Sequence, residues 1–136
     1  MLSRKRILMI DDDKALASMV KLGLESTGEY EVLTENEPVR AVATARQFRP
    51  DLILLDLIMH QLDGGDVSLD LSHEPTLCRV PVIILSALVS NFDRSGGGLV
   101  KQGGRLMMSK PIRLETLRQC IAEELSRGES GAQVLG

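Results

Sequence analysis

The chain has 136 residues, enough for one domain and hardly two. An apolar content of 43% supports a packed core, and a net charge of −3 leaves no basic footprint for DNA. With no Trp, one Tyr and two Phe, the core is aliphatic, and base stacking on single-stranded nucleic acid is poorly supported.

Ile7-Leu8-Met9-Ile10 is a short apolar run that ends at Asp11-Asp12-Asp13 and reads as a buried strand. Leu16, Met19, Val20, Gly23 and Leu24 then follow the period of a helix, with Thr27-Gly28 as its stop. Tyr30 to Thr34 is strand-like but less apolar, as suits an edge. Asn36 is a cap candidate, and Pro38 falls near the first turn of a helix carrying Ala41, Val42, Ala45 and Phe48. Arg49-Pro50 ends that helix, because the residue before proline avoids the helical region.

Asp51-Leu52-Ile53-Leu54-Leu55-Asp56 is the central strand, four apolar residues closed by a carboxylate. Val67, Leu69 and Leu71 then alternate with Ser68, Asp70 and Ser72, which taken alone reads as strand. A parallel sheet needs a crossover at this point, so a short helix is expected, ended by Pro75. Val80-Pro81-Val82-Ile83-Ile84-Leu85 is the clearest strand by its β-branching and ends at Ser86-Ala87. Gly96-Gly97-Gly98 and Gly103-Gly104 predict a short or broken helix over 88–104, since each helical Gly costs up to about 1 kcal/mol relative to Ala. Leu106-Met107-Met108 is a last strand, ending at Ser109-Lys110-Pro111, and Leu114, Leu117, Ile121 and Leu125 mark a last helix. From Gly128 the composition turns to Gly, Ser and polar residues, so the expected domain is 1–127 and 128–136 a disordered tail or the start of a linker. The order is β-α five times, which predicts a doubly wound α/β domain with helices on both faces of a five-stranded parallel sheet.

In such a sheet the C-terminal strand ends meet in one crevice. Four of those ends carry polar residues: Asp11-Asp12, Asp56, Ser86 and Lys110. Three carboxylates in one place repel, and a hard cation neutralises them. Mg²⁺ suits because it takes few protein oxygens and leaves the rest to water and phosphate. A hydroxyl and a lysine facing it hold phosphate oxygens. The set specifies phosphoryl chemistry at a carboxylate, with Mg²⁺ and Lys110 offsetting the developing charge. Asp13 reads as a helix-start acid, His60 and His73 as surface residues, and the methionines as core filler. Gly96-Gly97-Gly98 lacks the Lys-Ser/Thr ending of a phosphate loop.

Ile10-Asp11-Asp12, Leu55-Asp56 with Asp63-Gly64 beyond it, Val82 to Ala87 ending in Ser86-Ala87, and Lys110-Pro111 together resemble the receiver domain of two-component response regulators. The resemblance covers residues 5 to about 127. It implies a flavodoxin-like fold with strand order 2-1-3-4-5. It also implies that Asp56 is the phosphoacceptor for a phosphohistidine of a sensor histidine kinase or phosphotransfer protein. Asp12 would hold Mg²⁺ directly, Asp11 mainly through water, and the backbone carbonyl of Ile58 as the third protein ligand beside Asp56. Ser86 would bond a phosphoryl oxygen and Lys110 would pair with Asp56 and then with its phosphoryl group. Ile58 and Leu88 would flank the path of a hydrolytic water, and an output partner would meet residues 88–127. Three positions depart from the pattern: His60 for a usual Pro, Met107 for a usual switch aromatic, and Ile112 for a common Phe.

Two other functions remain open. A metal-dependent phosphohydrolase would need a general base or another metal carboxylate, and Ile58 stands where one would serve. A pseudo-receiver would bind protein without titrating with phosphate. Cys78 and Cys120 form neither a CxxC motif nor a metal cluster, which suggests a reducing compartment. No apolar run approaches the roughly 18 residues of a membrane span. The expectation is a cytoplasmic domain, not an enzyme acting on external substrates, with no direct nucleic-acid binding and no membrane contact. It is either a single-domain regulator or one unit of a longer protein.

Overall fold

The computed structural model describes residues 4–56, 64–86, 99–102, 105–109 and 111–135. The apolar runs become strands β1 (Lys5–Ile10), β2 (Tyr30–Glu35), β3 (Leu52–Asp56) and β4 (Val82–Ser86), followed by β5 (Leu99–Gln102) and β6 (Arg105–Ser109). Helices α1 (Lys14–Glu25), α2 (Ala41–Phe48), α3 (Gly64–His73) and α4 (Leu114–Leu135) lie between and after them, and a 3₁₀ turn, Pro38–Arg40, precedes α2. The sheet order is β2-β1-β3-β4-β6-β5. Its first five strands in space are parallel, in the expected order 2-1-3-4-5 when counted along the chain without β5.

β5 is an addition at the edge, antiparallel to β6. The broken helix expected across 88–104 is therefore corrected at 99–102, which is strand. Leu99-Val100 and the β6 residues flank Gly103-Gly104, and a Gly-Gly pair between two such runs is a hairpin signal. The rest of that segment, 88–98 and 103–104, lies outside the described residues.

Strand alternation divides the core into two layers. Ile7, Met9, Leu52, Leu54, Ile83 and Leu85 face α1 and α4, where Val20, Leu24, Leu117 and Ile121 cover them. Leu8, Ile10, Ile53, Leu55, Ile84 and Met107 face the other way, toward α2 and α3. A parallel sheet is covered on both faces, which is why its strands are contiguous apolar runs.

Among the described side chains of α3, Val67, Ser68 and Leu71 are buried, while Leu69 is 55% exposed. The period-2 pattern of that segment is thus overridden by the crossover that a parallel pairing of β3 and β4 requires. Asp13 is the N-cap of α1, its carboxylate accepting the Leu16 N–H at 3.1 Å, as its reading as a helix-start acid implies. Gly28 follows α1 with φ +79°, a conformation that suits glycine. Arg49 closes α2 in the same left-handed region, with φ 55° and ψ 64°.

Asn36 does not cap a helix. The residue before the 3₁₀ turn is Glu37, which makes no side-chain capping bond. α4 continues past residue 128, where a disordered tail or the start of a linker is expected, to Leu135. Propagating a helix whose first turns already pack costs little per residue, and Glu129, Ala132, Gln133 and Leu135 are helix formers that offset Gly128 and Gly131.

Candidate functional site

Register builds the site. Ile10 lies beside Leu55 in the β1–β3 pair, so Asp11 comes abreast of Asp56 as both strands leave the sheet. Asp56 lies beside Leu85, and Ser86 follows one residue further, paired with Ser109 of β6. One carboxylate oxygen from each of Asp11, Asp12 and Asp56 falls within 4.8 Å of the others. Asp11 is fully buried, Asp56 is 5% exposed and Ser86 1%, while Asp12 is half-buried at the rim. Each of the four has a polar or electrostatic partner.

Two ionised carboxylates at about 5 Å repel by about 3 kcal/mol at an effective dielectric near 20. Gathering three therefore favours a bound cation. The donor set is all oxygen and all carboxylate, which fits a hard divalent ion and offers nothing to a soft one. Such a site leaves most of the coordination shell to water and phosphate, which is the habit of Mg²⁺.

The turn that carries the acids is tied down. The Asp13 N–H donates to Asp11 Oδ1 at 2.9 Å, the Asp11 N–H to the Glu35 carbonyl at 3.1 Å, and Asn36 Nδ2 to the Asp11 carbonyl at 2.9 Å. Asn36 is the site residue that sequence reasoning missed. Its signal was positional: it is the first residue after β2, on the same edge of the sheet as the acids. Met107, the departure at the usual switch position, is buried in the layer with Ile84. Of the expected site residues, the structure brings Asp11, Asp12 and Asp56 together, with Ser86 on the same edge. Lys110, the Ile58 carbonyl and Leu88 lie outside the described residues.

Residues 7–122 match the family model of the response regulator receiver domain. The chain is 35% identical over 122 residues to the DNA-binding dual master transcriptional regulator RpaA of Synechocystis, covering 90% of this chain and 49% of that protein. It is 33% identical over 116 residues to the protein PilH of Pseudomonas aeruginosa, covering 85% and 93%. The chain spans about half the length of RpaA and of the Bacillus subtilis regulator PhoP, which it also matches. Among solved structures, the chemotaxis protein CheY4 of Vibrio cholerae superposes with a TM-score of 0.75 at 25% identity, over 89% of this chain and 98% of that one. Among the described residues no helix is long and apolar enough to cross a membrane. Receiver domains accept a phosphoryl group in two-component signalling and interact with sensor kinases. A family match from residue 7 to residue 122, on a sheet of the same fold, carries the conclusion that this chain belongs to the receiver domains of two-component response regulators.

Proposed function

We propose that Asp56 is the phosphoacceptor of this receiver and takes its phosphoryl group from a phosphohistidine of a sensor histidine kinase or phosphotransfer protein. A carboxylate oxygen of Asp56 attacks phosphorus, the P–N bond breaks, and the imidazole nitrogen leaves with the electron pair and takes a proton. The product is an acyl phosphate. Burial of Asp56 at a strand end suits this step, because it limits competing water.

Asp11, Asp12, Asp56 and the Ile58 carbonyl are the residues that would hold Mg²⁺. When bound, it neutralises charge on the transferring phosphoryl oxygens. The Ser86 hydroxyl donates to a phosphoryl oxygen, and the Lys110 ammonium pairs first with Asp56 and then with the phosphoryl group. The domain turns over no external substrate beyond its own dephosphorylation. It works in the cytoplasm, contacts neither nucleic acid nor membrane itself, and meets its output partner through residues 88–127.

The observation that carries this reading is the approach of the Asp11, Asp12 and Asp56 carboxylates to within 4.8 Å. Intact-mass measurement after incubation with a small phosphodonor tests it. One phosphoryl group is expected with Mg²⁺ and none in EDTA or in Asp56→Asn. A mass gain that survives Asp56→Asn overturns the assignment, absence of any gain with Mg²⁺ points to a pseudo-receiver, and sustained release of phosphate from a generic phosphoester points to a phosphohydrolase.

A further inference from the structure

We infer that Asn36 is a positioning residue for the acid cluster: its side-chain amide replaces a missing bond of the β1–β2 ladder and so fixes the peptide that presents Asp12. The inference rests on the reading of the acids as a cation site.

In a parallel pair, a residue donates its N–H to the carbonyl one before its partner and accepts at its own carbonyl from the N–H one after. Ile10 pairs with Glu35, so the next pair in register is Asp11 with Asn36. The first bond is present: the Asp11 N–H donates to the Glu35 carbonyl at 3.1 Å. The second should come from the Glu37 N–H. That N–H turns instead to the Glu35 carboxylate, at 3.1 Å to Oε2, because the chain is already bending toward the 3₁₀ turn that opens with Pro38. The Asp11 carbonyl would lose its partner. Asn36 Nδ2 supplies it at 2.9 Å.

That carbonyl lies in the same rigid plane as the Asp12 N–H, so fixing its direction fixes the bond by which Asp12 enters the turn. The Asp11 carboxylate has its own tether, the Asp13 N–H at 2.9 Å. Asp12 is the half-buried acid at the rim, and its starting direction follows from the peptide that Asn36 holds. Outer-shell partners of this kind typically change metal affinity about 10-fold to 100-fold when removed.

The test is Mg²⁺ titration calorimetry on the whole chain, beside thermal melts in EDTA. Asn36→Leu keeps roughly the size of the side chain and removes the donor. Asn36→His restores a donor, since a neutral imidazole presents Nδ1–H at about the same reach. Asn36→Ala stands in should the leucine variant fold poorly. The expected result is Mg²⁺ binding weakened about 10-fold in Asn36→Leu or Asn36→Ala and recovered in large part in Asn36→His at a pH where imidazole is neutral. The amide resonance of Asp12 should also be displaced in the leucine variant before any metal is added. A lower melting point with unchanged Mg²⁺ affinity and an unmoved Asp12 amide overturns the inference and leaves Asn36 a purely structural role. Failure of the wild-type chain to bind Mg²⁺ is a different result, because it removes the cation site itself.

Discussion

Neutralising Glu25 tests how this fold closes the open edge of its sheet. β2 is an edge strand, and at Val32 the backbone groups that face away from β1 are met by side chains of α1. The Glu25 carboxylate accepts the Val32 N–H at 2.9 Å, Lys21 Nζ donates to the Val32 carbonyl at 2.5 Å, and the two side chains pair at 3.4 Å. The bond from the Val32 N–H, aided by Lys21 and opposed by partial desolvation, holds the Glu25 carboxyl below its ordinary 4.5. A hydrogen bond to a charged group contributes about 1.5–3 kcal/mol when well shielded. Here the Lys21 and Glu25 side chains are 44% and 30% exposed, and solvent screening reduces the effect of losing the charge to about 1 kcal/mol. In a domain of 136 residues that corresponds to about 4 °C in Tm.

A carboxylate whose pKa is depressed by folding stabilises above its unfolded pKa, and that contribution is lost as pH falls through the folded value. Glu25→Gln is therefore expected to melt about 4 °C below wild type near pH 7, with the gap closing as the pH is taken toward about 3. Circular-dichroism melts in EDTA at both pH values measure it. Equal midpoints near pH 7, or a gap that persists unchanged in acid, would show that the Glu25 charge does not hold this edge.

A Cβ on Gly23 would sit 2.5 Å from Leu114 Cδ1 and 3.3 Å from its Cγ, so Gly23→Ala should lose about 1 kcal/mol despite its better helix propensity. Adding Leu114→Ala should recover part of that loss in a double-mutant cycle, and strict additivity of the two changes would contradict the contact. Arg49 holds a left-handed conformation that costs a non-glycine residue about 1–2 kcal/mol. Arg49→Gly should stabilise by about 0.5 kcal/mol net of glycine's greater unfolded-state entropy, read as a higher denaturant midpoint; a lower midpoint counts against it. Cys78 is exposed, whereas Cys120 is buried and its thiol is pushed up by that burial and then by Glu123 and Glu124. Iodoacetamide should add rapidly to Cys78 alone, and two rapid additions in the mass spectrum would show the buried thiol to be open. Asp12→Ala should abolish the response to Mg²⁺ while raising Tm in EDTA, because one of three mutually repelling carboxylates is gone; a lower Tm without metal argues against repulsion at the site.

Much of the fold was legible because parallel strands buried on both faces leave contiguous apolar runs. β1, β3 and β4 each read that way, and each ends in the structure where its run meets a polar residue. The meeting of Asp11, Asp12 and Asp56 was legible for the same reason: carboxylates at those ends have one crevice to meet in. Elsewhere local pattern and global pairing disagreed. The alternation of Val67, Leu69 and Leu71 said strand, and α3 is helical because β3 and β4 are parallel neighbours. The glycines of 88–104 warned against a regular helix, and among them only Gly103-Gly104, as a hairpin signal, pointed toward β5, whose place depends on pairing with β6. Asn36 resembled a cap because caps are judged by the residues that follow them, whereas its partner is 25 positions away on another strand.

Hydrophobic period and turn chemistry carry the class of fold, the motifs carry the acids that belong together, and the order of the five parallel strands comes from the family resemblance alone. The folded chain adds what no local pattern holds: the 4.8 Å gathering of Asp11, Asp12 and Asp56, the capping of the β2 edge by Lys21 and Glu25, and the bond from Asn36 to Asp11. The first and last of these depend on strand register, which is set by long-range pairing across the sheet, and the capping depends on how α1 packs against β2.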